Sequence, residues 1–312
     1  MDQNQLASEL FADKRAERRL KYIRLGVIAT IAVAYLTLLV GARSMANDRA
    51  AEAGGPHVAV VDITGEIGPG KDASLRALAP VLKEAFDDKA AKAVVLRINS
   101  PGGTPVQSSL LHDEIVRLRQ KRPELPVYAV GEDMVTSGAY LIAMSADKLV
   151  VNRSTMAGSI GVIIRSFGFT GLMEKVGIER RALTAGESKN QLDPFGPFTE
   201  EDKQSVAGML ENVHQHFKDI VLAARKDKLK KDPSELFTGA VWTGSQAVEL
   251  GLADQVGSLQ TVMAEVGAVK TRVYSVKVPL LEALTRSFGV SVTKTLIAET
   301  GSTPAAVELL PR

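Results

Sequence analysis

The chain has no cysteine and only four histidines in 312 residues. The first absence excludes a thiol nucleophile, a thiolate metal site and a disulfide framework. The second narrows the choice of catalytic base and leaves no plausible cluster of metal ligands. Net charge is only +2, too small to argue for nucleic acid. No G-x-x-x-x-G-K-[ST] phosphate loop occurs, and no internal repeat. What remains is an ordinary globular balance, 45% hydrophobic and 24% charged, in a chain long enough for one large domain or two small ones plus an appendage.

The most apolar run is residues 25–42, LGVIATIAVAYLTLLVGA, with no charge between Arg24 and Arg43. As a helix it spans roughly 27 Å, close to the hydrocarbon thickness of a bilayer. Lys14, Arg15, Arg18, Arg19, Lys21 and Arg24 precede it and fewer basic residues follow. The expected organisation is therefore a basic cytoplasmic segment (1–24), a transmembrane anchor (25–42), a small polar linker (43–56) and a domain on the far side of the membrane. A cleaved signal peptide, with small residues at Ser44-Met45-Ala46, and a buried core helix are the competing readings.

From His57 onward, short apolar runs alternate with helical patterns. Strands are expected at 58–63, 93–98, 127–130, 149–151 and 273–278, with a strand-like stretch at 180–185. Helices are expected at 73–87, around Leu110, Leu111, Ile115 and Leu118, from about Ser137 to Asp147, and at 199–226, where Thr199-Glu200-Glu201 makes a good start. Residues 234–267 look helical with glycine punctuation. The βαβα rhythm predicts an α/β fold with a largely parallel sheet over 57–278, and leaves 279–312 as a tail of uncertain role.

Four glycine-bearing segments fall at or near predicted strand ends, where active sites of parallel sheets collect. In Asn99-Ser100-Pro101-Gly102-Gly103 the glycines could present N–H groups to an oxyanion, or simply make a turn. In Thr136-Ser137-Gly138 the serine sits at the start of a helix, as a nucleophile or as an ordinary N-cap. Gly158-Ser159-Ile160-Gly161 lines a site or is a tight turn. Gly186-Glu187-Ser188-Lys189 carries a lysine that is catalytic or merely on the surface.

A serine nucleophile needs a base. His57, His112, His214 and His216 are not placed near a glycine turn by their sequence positions, so a Ser-His-Asp triad is not expected. A lysine can serve if it is neutral. The ordinary value for lysine is about 10.4, and burial can lower it by several units. Such an amine beside Ser137 would take the hydroxyl proton and return it to the leaving amine.

INSPGG (98–103), SGAY (137–140), GSIGV (158–162), GESKNQLDPF (186–195) and FTGAVWTGSQAVELGLAD (237–254) occur in one order. In these motifs the chain resembles the short form of bacterial signal peptide peptidase, a serine protease family with a Ser–Lys dyad. The resemblance covers roughly 57–270 and the N-terminal anchor. It implies a caseinolytic-protease/crotonase-like fold, a repeated ββα superhelix. Residue by residue, it implies that Ser137 is the nucleophile and Lys189 the general base. Gly102, Gly103 and Gly138 then form the oxyanion and substrate turn, and Ser159 orients the lysine. Ala139 and Ser188 depart from the family pattern, where glycine and an aromatic residue are frequent. Neither removes a catalytic atom, but the second bears on the walls of the substrate groove.

The resemblance further implies cleavage of remnant signal peptides and other hydrophobic or unfolded peptides; with no nucleotide or metal motif in the sequence, no ATP, cofactor or metal is expected. Double-length members carry lysine and serine in separate halves, so a short chain is expected to form a homo-oligomeric ring in which neighbours share each site. The implied location is the inner membrane, with the catalytic domain extracytoplasmic. Two rival classes share the fold: an acyl-CoA enzyme of crotonase type, and a non-catalytic peptide-binding scaffold.

Overall fold

The computed structural model describes residues 26, 30, 33 and 55–276. The anchor expected at 25–42, apart from three positions, the basic segment 1–24, most of the linker and the tail 279–312 lie outside the described residues. No helix among the described residues is long and apolar enough to cross a membrane.

The domain is a mixed α/β structure built on one sheet. Strands β1 (His57–Thr64), β2 (Ala91–Ser100) and β3 (Val127–Thr136) are each followed by a helix: α1 (Leu75–Asp87), α2 (Pro105–Lys121) and α3 (Gly138–Ala143). The sheet continues with β4 (Lys148–Val151), β5 (Met156–Gly158), β6 (Val241–Thr243), β7 (Gln255–Val256) and β8 (Thr271–Tyr274). Its order is β6-β5-β3-β2-β1-β8, with β4 pairing β3 and β7. β1 with β8, β2 with β3, β3 with β4 and β5, and β4 with β7 pair in parallel, whereas β5 pairs with β6 antiparallel.

The continuous apolar runs of β1 and β2 reflect burial on both faces. Ala59, Val61, Ile63, Val94, Leu96 and Ile98 point into the larger core with α1, α2 and α3. Val58, Val60, Ala93 and Val95 point into a smaller one closed by α8 (Leu259–Glu265). On α2, Leu111, Ile115 and Leu118 are buried at helical spacing, whereas Leu110 faces out.

Between β5 and the long helix α5 (Glu200–Arg225) lies a different kind of segment. It holds α4 (Thr170–Val176) and a 3₁₀ turn, Glu187–Asn190, and no described side chain from 161 to 199 is buried. The strand-like pattern at 180–185 forms no strand; these side chains are exposed and have no sheet to join. Helix α5 starts as its sequence predicts, with a reciprocal capping box between Thr199 and Asp202. The stretch 234–267 corrects the helical expectation. Short strands β6 and β7 interrupt α6 (Pro233–Leu236), α7 (Gly244–Glu249) and α8, because the sheet edges at β5 and β4 recruit them. The last described strand is Thr271–Tyr274, two residues earlier than its apolar pattern suggests.

A buried charge pair locks the end of α5 to the sheet. Arg225 is 4% exposed; its Nε donates to Gly251 O at 2.7 Å and a terminal nitrogen to Asp254 Oδ2 at 3.0 Å. Asp254 also accepts from the Leu149 N–H at 2.7 Å and from Lys228 Nζ at 2.8 Å. Beside it, the buried Tyr140 hydroxyl donates to Leu252 O. Burial pushes the Asp254 carboxyl up, but Arg225, the Leu149 N–H and Lys228 outweigh it and hold it below the usual carboxylate value.

Removing one partner of such a pair strands a buried charge. Arg225→Ala is expected to cost about 3 kcal/mol or more in chemical denaturation. A depressed carboxylate stabilises the fold above its unfolded value, about 3.9, and that contribution disappears as pH falls through the folded value. Stability of the wild type should therefore fall more steeply below about pH 4 than that of Asp254→Asn, as followed by thermal melts across acid pH.

Candidate active site

Ser137 stands between β3 and α3, at the C-terminal edge of the parallel strands. Its backbone lies at φ 53°, ψ −126°, a conformation that L-residues rarely adopt. The position is held from both sides. The Ser137 N–H donates to Gly158 O at 2.8 Å, and Ser137 O accepts from the Leu141 N–H at 3.0 Å. Every residue of α3 behind it is buried. Ser137 is the N-cap of that helix, yet its side chain makes no capping hydrogen bond. The ordinary capping role is thus unfilled, and the hydroxyl is left half-buried and available.

The turn at 101–103 packs directly on this serine. A Cβ at Gly102, where φ is +95°, would lie 2.7 Å from Gly138 N and 2.8 Å from Ser137 Cβ. A Cβ at Gly138 would lie 2.1 Å from Ser108 Oγ and 3.4 Å from Gly103 N. Glycine is needed for two main chains to come this close. The turn is pinned by Ile67, whose N–H donates to Gly102 O and whose carbonyl accepts from Thr104 N–H, both at 2.9 Å. The Gly102 N–H is occupied by Ser100 Oγ at 3.1 Å. The amides of Gly103 and Gly138, by contrast, donate to nothing among the described residues. Two free N–H groups therefore flank the serine, the arrangement that stabilises an oxyanion. Gly102 contributes the close approach.

Ser159 is placed beside Ser137 by strand register. Thr136 pairs with Gly158 in parallel, so the two serines leave neighbouring strand ends together, about 4.8 Å apart in the sheet direction. Ser159 has the same unusual φ of 53°, fixed by its N–H donating to Ala240 O at 2.7 Å.

Lys189 is not brought to Ser137 within the single chain. It lies on the exposed 3₁₀ turn, and its ammonium makes no hydrogen bond or ion pair with any described residue. The turn itself is ordered by Asp193, which accepts from the Phe195 N–H at 3.0 Å and pairs with Arg180 at 3.1 Å. These contacts hold the Asp193 carboxyl below its usual range.

Ser137 opens onto a cavity of about 110 Å³, bounded also by Gly103, Gly138, Leu141, Phe217 and His216. The histidine corrects the expectation that none lies near a glycine turn. Helix α5 folds back over the strand ends, placing His216 in the cavity wall with Nε2 3.1 Å from Ser109 Oγ, and His214 Nε2 3.2 Å from Ile160 O. Helical periodicity alone carries no record of that return. No group of three or more potential metal ligands exists among the described residues.

Residues 119–271 match Peptidase family S49. A protein of Synechocystis sp. named "Putative protease slr0021" is 32% identical over 202 residues, which is 64% of this chain and 70% of that protein. This chain belongs to peptidase family S49. Within S49 relatives, "Putative signal peptide peptidase SppA" of Enterococcus faecium is 33% identical over 176 residues, 56% of this chain and 50% of that one. A Brucella abortus protein named "Na(+)/H(+) antiporter NhaA" is 42% identical over 190 residues, 61% of this chain. The chain spans only 26% of that relative's length.

An S49 serine held at positive φ should carry local strain of about 1–3 kcal/mol. Ser137→Gly is expected to melt at higher temperature than Ser137→Ala, by a free-energy difference of about 1 kcal/mol after the extra flexibility of unfolded glycine is subtracted. Equal melting would show that the turn is unstrained.

Proposed function

We propose that the protein is a membrane-anchored serine endopeptidase that degrades remnant signal peptides and other hydrophobic or unfolded peptides, without ATP. The observation that carries this reading is the uncapped Ser137 hydroxyl beside the two unpaired amides of Gly103 and Gly138. The wider setting is a fold of the caseinolytic-protease/crotonase type. The apolar run 25–42 supports anchoring, with the domain extracytoplasmic. The signal-peptide substrate is supported by the motif resemblance and by the name that the Enterococcus relative bears.

In this mechanism Ser137 Oγ attacks the scissile carbonyl carbon while its proton passes to the neutral amine of Lys189. The carbonyl oxygen gains negative charge and is held by the Gly103 and Gly138 N–H groups. The lysine returns the proton to the departing amine as the C–N bond breaks, leaving an acyl-serine. Water then adds to that ester, giving its proton to the lysine, and the serine is released with its proton restored. Ser159 is the residue that orients the amine.

Burial is what lowers a lysine into the range of a base, so this reading calls for a covered position for Lys189 in the active assembly. The segment 161–199 that carries it exposes Ile163, Phe167, Leu172, Val176, Ile178 and Leu183. These exposed apolar side chains support an interaction site on this segment. A second copy of the chain would cover it and bring its lysine to a neighbour's Ser137, in a ring of shared sites.

The test is hydrolysis of a fluorogenic apolar peptide by the detergent-purified full chain. Ser137→Ala and Lys189→Ala should each lower kcat/KM by about three orders of magnitude or more. Mixed and reassembled, the two variants should recover part of the activity, because some sites then combine one intact serine with one intact lysine. Near-wild-type rates in either variant would reassign that residue; no recovery in verified mixed assemblies would place both residues in one chain.

A further inference from the structure

The wall of the Ser137 cavity is apolar on the side facing α5, where Val213 and Phe217 meet Leu141 of α3. His216 breaks that pattern. It lines the cavity and is also exposed, so its ring stands between cavity and solvent. Its Nε2 is 3.1 Å from the hydroxyl of Ser109, on α2. That contact joins two helices from different parts of the chain across the mouth. Two residues back, His214 Nε2 is 3.2 Å from Ile160 O, fixing the same stretch of α5 against the exit of β5. The His216 ring is thus held at one nitrogen beside the cavity.

The cavity, open on one side, has a volume of about 110 Å³. Benzene occupies an engineered apolar cavity of about 150 Å³. The space beside Ser137 thus suits a branched aliphatic side chain and is short for an aromatic ring.

We infer that His216, latched to Ser109, is the specificity-determining residue that limits the size of the side chain accepted on the amino side of the scissile bond. The inference rests on the reading of Ser137 as nucleophile and extends it from a hydrophobic substrate to an aliphatic one at this position. Histidine does here what a larger apolar residue could not: it closes the mouth while presenting a wettable edge to solvent, and its bond to Ser109 fixes where the wall stands.

The experiment compares kcat and KM of the full chain, His216→Ala and Ser109→Ala on peptides differing only at that residue: Ala, Val, Leu, Phe and Trp. Ser137→Ala is the blank. The wild type should favour Val and Leu over Phe and Trp. His216→Ala should raise kcat/KM for Phe relative to Leu by about tenfold, mainly through KM. Ser109→Ala, which loosens the ring without removing it, should shift the ratio the same way by less. If hydrolysis depends on Ser137 but both variants keep the wild-type ratio, the size limit is overturned and the protease reading stands. If His216→Ala lowers kcat for all five peptides alike, the histidine serves the chemistry and the inference is again wrong. If the wild type shows no Ser137-dependent hydrolysis, the protease reading falls and takes the inference with it.

Discussion

The structure depends on one close approach of main chain to main chain. The turn at Gly102-Gly103 lies against Ser137-Gly138 at distances no Cβ would permit. Neither side of that contact can adjust alone. The turn is tied to Ile67 by two backbone hydrogen bonds, and Ser137 is tied to Gly158 by another. Behind them, α2 and α3 pack on each other and on the sheet, with Ser108 directly over Gly138. The free amides and the unusual φ of the serine both follow from this contact. A turn that must fold tightly around its neighbour has no geometry left in which those N–H groups could find partners.

The Arg225–Asp254 pair performs a complementary task at the other end of α5. A helix of 26 residues with few buried side chains would be weakly held by apolar contact alone. The guanidinium supplies a fixed point, bonded at once to the 251 carbonyl and to a carboxylate that also takes the first amide of the β4 interior. With that end fixed and Phe217 and Val221 in the core, the middle of the helix is directed across the strand ends. The cavity beside Ser137 owes one of its walls to a charge pair near the far end of the helix.

Much of this was legible in the sequence. The apolar runs 58–63, 93–98 and 127–130 announce the first three strands, though β3 continues past the charged pair Glu132-Asp133 to Thr136, and the helix start at Thr199 announces α5. The glycine segments could be found because backbone demands at strand ends select glycine. Their grouping was not derivable from any one of them; it came from five motifs in order. What stayed hidden was set by tertiary placement. Strands of two or three residues such as β6 and β7 exist only because an edge is there to receive them. His216 carries no local mark of its position in the cavity wall. Residues 180–185 alternate like a strand but have no partner.

The far side of β3 is divided between two partners. Its first half pairs with β4 through Gly131–Val151, and its last three residues pair with β5 from Met134–Met156. Between these points the partner chain runs two residues longer than β3, and Thr155 fills the gap, its hydroxyl donating to Glu132 O at 2.6 Å. Such a forked edge works like a vernier. Two ladders set at different offsets cannot both slip by one step, so the strand that ends in Ser137 is indexed lengthwise and cannot be drawn out of position by tension on a peptide attached to its tip.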